Sequence, residues 1–132
     1  MNNYKTRNHS KFLLKCHLIF VLKYRKKILI GKLKDSMKQI LLDNQTSDFR
    51  IEVIESDYDH IHFLIDYDPI ISISMIVRHL KQKSSIEIWK LYPLFLRKHF
   101  WYQNFFWTKG YFVSSIGNAS IETITNYINE QG

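Results

Sequence analysis

Phe49-Arg50-Ile51-Glu52-Val53-Ile54-Glu55-Ser56-Asp57-Tyr58-Asp59-His60-Ile61-His62-Phe63-Leu64-Ile65-Asp66 is the stretch on which the reading of the fold turns. From His60 onward it alternates with period two, the signature of a half-buried β-strand. Ile61, Phe63 and Ile65 then share one face, while His60, His62 and Leu64 share the other. Phe49, Ile51 and Val53 alternate with Arg50, Glu52 and Ile54 in the same way, which predicts a second strand. The polar link between the two is short, so they form an antiparallel hairpin. His60 and His62 lie one strand repeat apart, within reach of a single divalent ion, for which neutral imidazole is a common ligand. They read equally as two partly exposed strand histidines with local hydrogen bonds.

Downstream, Asp68-Pro69 breaks the pattern and Ser72 to Tyr92 reads as a helix. Its apolar face is Ile73, Ile76, Val77, Leu80 and Ile88, and Pro93 stops it. Arg78, Lys81, Lys83 and Lys90 give this helix a basic side, which is either a solvated face or a surface for a polyanion. Residues 89–112 hold eleven aromatics, mostly core or interface by expectation, with one or two free to stack on unpaired bases. Phe105 to Ser115, broken by Lys109-Gly110, suggests another strand or hairpin. A last helix runs from the N-cap residue Ser120 to Gln131, with Ile121, Ile124 and Ile128 as its stripe.

Upstream, Met1 to Lys11 reads as a loosely held basic arm and Phe12 to Lys23 as a buried strand. Lys23-Tyr24-Arg25-Lys26-Lys27 follows as a solvated strand end or a phosphate-contacting patch. From Gly31 to about Asn44, Leu33, Met37, Ile40 and Leu41 mark one helix face. The order is βαββαβ with an added C-terminal helix. That is an α+β, ferredoxin-like (RRM-like) antiparallel sheet with helices on one face. The two histidines would look out from the other, free face.

The 132 residues form a single domain, 1–132, long enough for a proper core. The longest apolar run is Leu18 to Leu22, far short of the roughly 20 residues of a spanning helix. Lys15 and His17 interrupt the first apolar segment and no small-residue cleavage site follows, so no signal peptide is read. The single cysteine, Cys16, reads as buried and fits a reducing cytoplasm. Nineteen Lys and Arg against twelve Asp and Glu leave a net charge of +7, which favours nucleic acid or an anionic surface as partner. The spread of these charges over several elements argues against a membrane.

Tyr127 stands at the edge of the last helix's apolar stripe, with Gln131 one turn further on the same face. Asp59-His60-Ile61-His62 resembles the histidine–hydrophobic–histidine motif of the HUH nucleases. Tyr127-Ile128-Asn129-Glu130-Gln131 resembles the nucleophile helix of their single-tyrosine transposases, which mobilise bacterial and archaeal insertion sequences as single-stranded DNA. The repeat-associated tyrosine transposases belong to the same branch. His17-Leu18-Ile19-Phe20, Lys23-Tyr24-Arg25-Lys26, Lys81-Gln82-Lys83-Ser84-Ser85, Phe106-Trp107-Thr108 and Tyr111-Phe112-Val113-Ser114 are similar to that family too. The likeness runs from about His17 to Gln131.

The resemblance implies that His60, His62 and Gln131 hold one Mg²⁺ or Mn²⁺ and that Tyr127 attacks a phosphodiester of single-stranded DNA. A 5′-phosphotyrosine link and a free 3′-hydroxyl would result, and reversal would rejoin strands without a nucleotide cofactor. It implies a homodimer in which the tyrosine helix can serve the partner's site, DNA ends recognised as hairpins, and a prokaryotic cytoplasmic enzyme working at the nucleoid. Lys23, Arg25, Lys26, Arg78, Lys81 and Lys83 are the expected DNA contacts. Phenol, with a pKa near roughly 10, needs a polarised phosphate or proton removal to attack, and a divalent ion supplies the former. Neutral ligands predict weak, exchangeable binding of a hard ion.

Tyr58 is a rival nucleophile, since alternation would place it on the face of His60 and His62. Glu55, Asp57 and Asp59 are either a further ligand or, the blander reading, a solvated acidic turn. Two other functions stay open: a non-catalytic single-strand or hairpin binding module, and a domesticated nuclease acting on repeat hairpins.

Overall fold

The computed structural model describes the backbone of residues 5–7, 10–12, 14–115 and 121–131, and the side chains of residues 14–114 and 126–131. Ser120, the expected N-cap, lies outside the described residues, as do the side chains of Ile121 and Ile124. The basic arm carries a short hairpin of β1 (Lys5–Arg7) and β2 (Ser10–Phe12), which forms a sheet separate from the main one.

The main sheet has four antiparallel strands: β3 (Leu14–Val21), β4 (Phe49–Ser56), β5 (His60–Tyr67) and β6 (Phe112–Ser115). Their order is β4-β5-β3-β6. Helices α1 (Gly31–Asp43) and α2 (Ile73–Leu91) cross over between them, so the α+β plan expected from the pattern is the one formed. Cys16, Leu18, Phe20, Ile61, Phe63 and Ile65 turn towards these helices and form the core with Met37, Leu41, Ile76 and Leu80. Burial of this apolar face is the main force holding the layers together. Burial also pushes the Cys16 thiol up to about 11, which leaves it a protonated, inert core residue.

Ser72 caps α2, its hydroxyl accepting from the Met75 N–H at 3.1 Å. Pro93 does end α2, and it also opens a short helix, α3 (Pro93–Arg97), because its missing N–H costs nothing at a first helical position. The expected strand or hairpin over 105–115 is realised as β6 alone. Phe105 to Gly110 is irregular backbone joined to the sheet by the bridge between Leu22 and Trp107.

Two differences bear on function. A bulge between Ile51 and Val53 breaks the alternation of β4, so Val53 faces outward and Ile54 packs on the core. Every residue beyond the bulge changes face, and Glu55 comes to stand directly across from His62. The second difference is that the face opposite α1 and α2 is not left free. Helix α4 (Ile121–Glu130) lies on it, with Ile128 packed against Ile19 and Val21 and Tyr127 beside them. Ile19 and Val21 are the paired neighbours of His62 and His60. The alternation identified an apolar patch there but not the element that covers it.

Candidate active site

The site is built on β5, which is bonded to β4 along one edge and to β3 along the other. His60 and His62 therefore start from backbone positions fixed on both sides. Both are half-buried and point to the α4 side, as their alternation with the buried Ile61 and Phe63 requires.

Each imidazole has its own partner. His60 Nδ1 lies 3.0 Å from Asp59 Oδ1. The other oxygen of that carboxylate accepts from Arg25 Nε at 3.1 Å. Burial alone would raise the Asp59 carboxyl, but the hydrogen bonds and charges of His60 and Arg25 outweigh it and hold it below its ordinary value. With Nδ1 engaged by a carboxylate, Nε2 is the ring nitrogen of His60 that remains for another partner. This carboxylate–histidine pairing is the one that orients metal-ligating histidines. His62 Nε2 lies 2.9 Å from His17 Nδ1, so one of those two nitrogens carries the shared proton. Burial lowers the His62 pKa, the neighbouring His17 and His60 lower it further, and Glu55 opposes them. His62 is therefore neutral at neutral pH, the form that can donate a lone pair to a cation.

Arg25 reaches Asp59 from a turn of unusual backbone. Tyr24 and Arg25 both occupy the left-handed region, with φ of 60° and 49°, at a cost of about 1–3 kcal/mol each. Arg25, expected as a phosphate contact, is thus tied to the site's own carboxylate. Asp59, read as part of a solvated acidic turn, is only 7% exposed, because the turn folds back under that guanidinium. The two residues are 34 apart in sequence, and no local signal could have joined them. Arg25 Nη1 also lies 3.4 Å from Asn129 Oδ1 on α4. A recess of about 320 Å³ opens there, lined by Lys27, Tyr58, Asp59, His60, Ile128 and Asn129 among others.

Tyr127 does not share that recess. Its ring packs on Phe112, centroids 5.6 Å apart, and its hydroxyl faces Gly110, where a Cβ would sit 3.6 Å from Oη. The hydroxyl is buried with no hydrogen-bond partner among the described residues. Burial raises the phenol pKa, and the Thr108 side chain only lessens the rise. Gln131 closes α4, its N–H donating to the Ile128 carbonyl at 3.1 Å. Neither Tyr127 nor Gln131 hydrogen-bonds to His60 or His62 among the described residues. Tyr58, the rival nucleophile, is 59% exposed at the tip of the β4–β5 turn and borders the recess beside His60.

Of the basic residues expected to meet DNA, Arg78 and Lys83 are exposed along α2, and Lys23 and Lys26 are half-exposed near the turn. Lys81 is committed elsewhere. Its ammonium donates to the carbonyls of Thr108, Lys109 and Gly110 at 2.7, 3.1 and 2.7 Å, and burial pushes it down to about 8. No group of three His, Cys, Asp or Glu side chains converges to hold a metal among the described residues. A metal here would rest on the two imidazoles and a further oxygen donor.

Known proteins resemble this chain over most of its length. Residues 10–131 match the family described as IS200-like transposases. The transposase of insertion sequence IS200 from Salmonella typhimurium is 33% identical over 99% of this chain and 85% of its own length. The ISDra2 transposase TnpA of Deinococcus radiodurans is 32% identical over 89% of this chain and 84% of its own length. A solved structure assigned as a transposase from Deinococcus radiodurans superposes with a TM-score of 0.85 at 26% identity, covering 96% of this chain and 97% of that one. These matches place the chain in the IS200-like transposase family.

Proposed function

We propose that the protein cleaves and rejoins single-stranded DNA through a covalent 5′-phosphotyrosine intermediate, with Tyr127 as the nucleophile. The observation that carries this reading is the histidine pair. Two imidazoles stand on one face of a central strand, one aimed by a buried carboxylate and the other kept neutral, beneath the helix that carries Tyr127.

The donor chemistry fits a divalent ion such as Mg²⁺ or Mn²⁺. Asp59 fixes the tautomer of His60 and leaves Nε2 as the donor. His62 would contribute a second neutral nitrogen once its Nε2 is released from His17, and the Gln131 amide oxygen at the end of α4 is the third ligand in this reading. When bound, the ion polarises the scissile phosphate and offsets the charge that develops on its oxygens. The Tyr127 oxygen attacks phosphorus, and the proton it gives up passes by way of solvent to the departing 3′-oxygen. The bond from phosphorus to the 3′-oxygen breaks, and that oxygen departs as a free 3′-hydroxyl. Reversal by another 3′-hydroxyl restores the phosphodiester and the phenol, so joining needs no nucleotide cofactor.

For this step Tyr127 must leave its seat against Phe112 and Gly110, where its hydroxyl has only the Thr108 side chain as a polar neighbour among the described residues. A second subunit of a homodimer could receive the helix, and hairpin DNA ends would dock on the basic side of α2 through Arg78 and Lys83. Lys23 and Lys26 would guide the strand towards the recess beside His60. The test is to incubate the purified chain with single-stranded DNA from element ends, with Mn²⁺ or with chelator, and to run a denaturing gel. A metal-dependent protein–DNA band is expected. Hairpin binding that is indifferent to chelator and yields no band would instead make the protein a binding module.

A further inference from the structure

Between α2 and the 104–109 segment lies a second cavity, of about 690 Å³, that the histidine site does not use. Its lining combines three features. Lys23, Arg78 and Lys109 supply cations beside the half-buried Lys81, and none of the described lining residues is acidic. The half-buried Phe105 ring forms part of the wall, with Lys23 Nζ 4.6 Å from its centroid. The amides of Gln82 and Asn104 line it too, exposed and with no side-chain hydrogen bond among the described residues.

The wall is preformed. The Trp89 indole N–H donates to the Phe105 carbonyl, and that of Trp107 to the Ser84 hydroxyl, both at 2.9 Å. The Lys23 N–H donates to the Phe106 carbonyl at 2.8 Å. Lys81 gathers the next three carbonyls. Asn104 is held in the left-handed region with φ of 69°. A cavity ordered before its ligand arrives loses little entropy on binding.

A bare anion would need the cations but not the aromatic wall, and an apolar ligand would need neither the cations nor two unpaired amides. A planar ring with a polar edge and an attached phosphate uses all three. We infer that this cavity receives one unpaired nucleobase of the DNA strand, with its face on the Phe105 side and its edge read by Gln82 and Asn104. Its neighbouring phosphates then lie on Lys23, Arg78 and Lys109. The inference rests on the reading that the protein acts on DNA with unpaired bases. A paired base cannot enter, because its edge is already bonded and its faces are stacked. Gln82 and Asn104 would make this a specificity-determining site, since amides discriminate base edges by donor and acceptor pattern.

The experiment is a titration of the ¹⁵N-labelled full chain, followed through the side-chain amide signals of Gln82 and Asn104 and the indole signals of Trp89 and Trp107. The probes are the four deoxynucleoside 5′-monophosphates, abasic deoxyribose 5-phosphate and inorganic phosphate. Saturable shifts of both amides with at least one nucleotide, absent with the two phosphates lacking a base, are expected. In Gln82→Ala, an exposed helix position, the indole signals should keep their places while nucleotide affinity falls on the order of tenfold. No shift with any nucleotide would overturn the inference, and equal shifts with inorganic phosphate would reduce the cavity to an anion site. The denaturing-gel assay on the same preparation separates this inference from the catalytic one. A covalent band beside a silent cavity overturns the cavity alone. Nucleotide shifts without a band support the cavity and overturn the catalysis.

Discussion

His60 and His62 stand on a strand bonded along both edges, and each imidazole is held again by a side chain, Asp59 or His17. Tyr127 stands on a helix that meets the sheet through Ile128, through its own ring on Phe112, and through one 3.4 Å contact from Arg25 to Asn129. The histidines are thus held by backbone and side-chain bonds together, while the phenol is packed against Phe112 and Gly110. The difference sets candidate ligands bonded from several sides against a candidate nucleophile whose helix, among the described residues, meets the sheet through few contacts. Such an arrangement suits a reaction in which the tyrosine must carry a DNA end and later return it.

The largest effect should come from the nucleophile itself. Tyr127→Phe should abolish covalent DNA linkage while leaving folding stability within about 0.5 kcal/mol, because the lost hydroxyl is buried with no well-formed hydrogen bond among the described residues. Parallel gel and thermal-melt measurements check both halves. The same substitution-and-melt pair on the ligand side should give the next effect. His60→Ala and His62→Ala should each remove metal-dependent linkage, and excess chelator should do the same to the unaltered protein. Both variants should still melt cooperatively, unlike Phe63→Ala, which empties a core position at about 3–5 kcal/mol.

Asp59→Asn sharpens the contrast, because it leaves both imidazoles in place and disturbs only the aim of one. Mn²⁺ affinity, read by calorimetry or electron paramagnetic resonance, should fall about 10–100-fold. An unchanged affinity would mean that His60 needs no orienting carboxylate. The smallest effect is expected from Ile128→Ala, which loosens the helix rather than the ligands. Losing this contact should weaken docking of α4 by about 2 kcal/mol. Faster exchange of amides in residues 126–131 should reveal it, with amides of β5 unaffected.

Much of this was legible in the sequence because it is local. Period-two alternation placed His60 and His62 on the face away from the core, whereas Gln131, expected within the last helix, lies in the turn just past Glu130. What escaped depends on contacts between distant segments or on single backbone irregularities. The bulge after Ile51 turns Glu55 towards His62, yet nothing in Phe49 to Glu55 marks where the alternation slips. Arg25 belongs to a basic run, and only the left-handed turn at Tyr24 and Arg25 reveals that it serves Asp59. Lys81 looked like any exposed helix cation until the 108–110 carbonyls closed over it. The resting place of α4 was equally hidden, since an apolar stripe shows that a helix docks but not where.

The central claim is that Tyr127, on the helix that covers the histidine face of the sheet, is the residue that takes the DNA. The most direct test is to digest the Mn²⁺-dependent protein–DNA adduct and identify the modified tyrosine by mass spectrometry. The account predicts a nucleotide-bearing peptide containing Tyr127. A modified peptide containing Tyr58, which lies exposed beside His60, would contradict it.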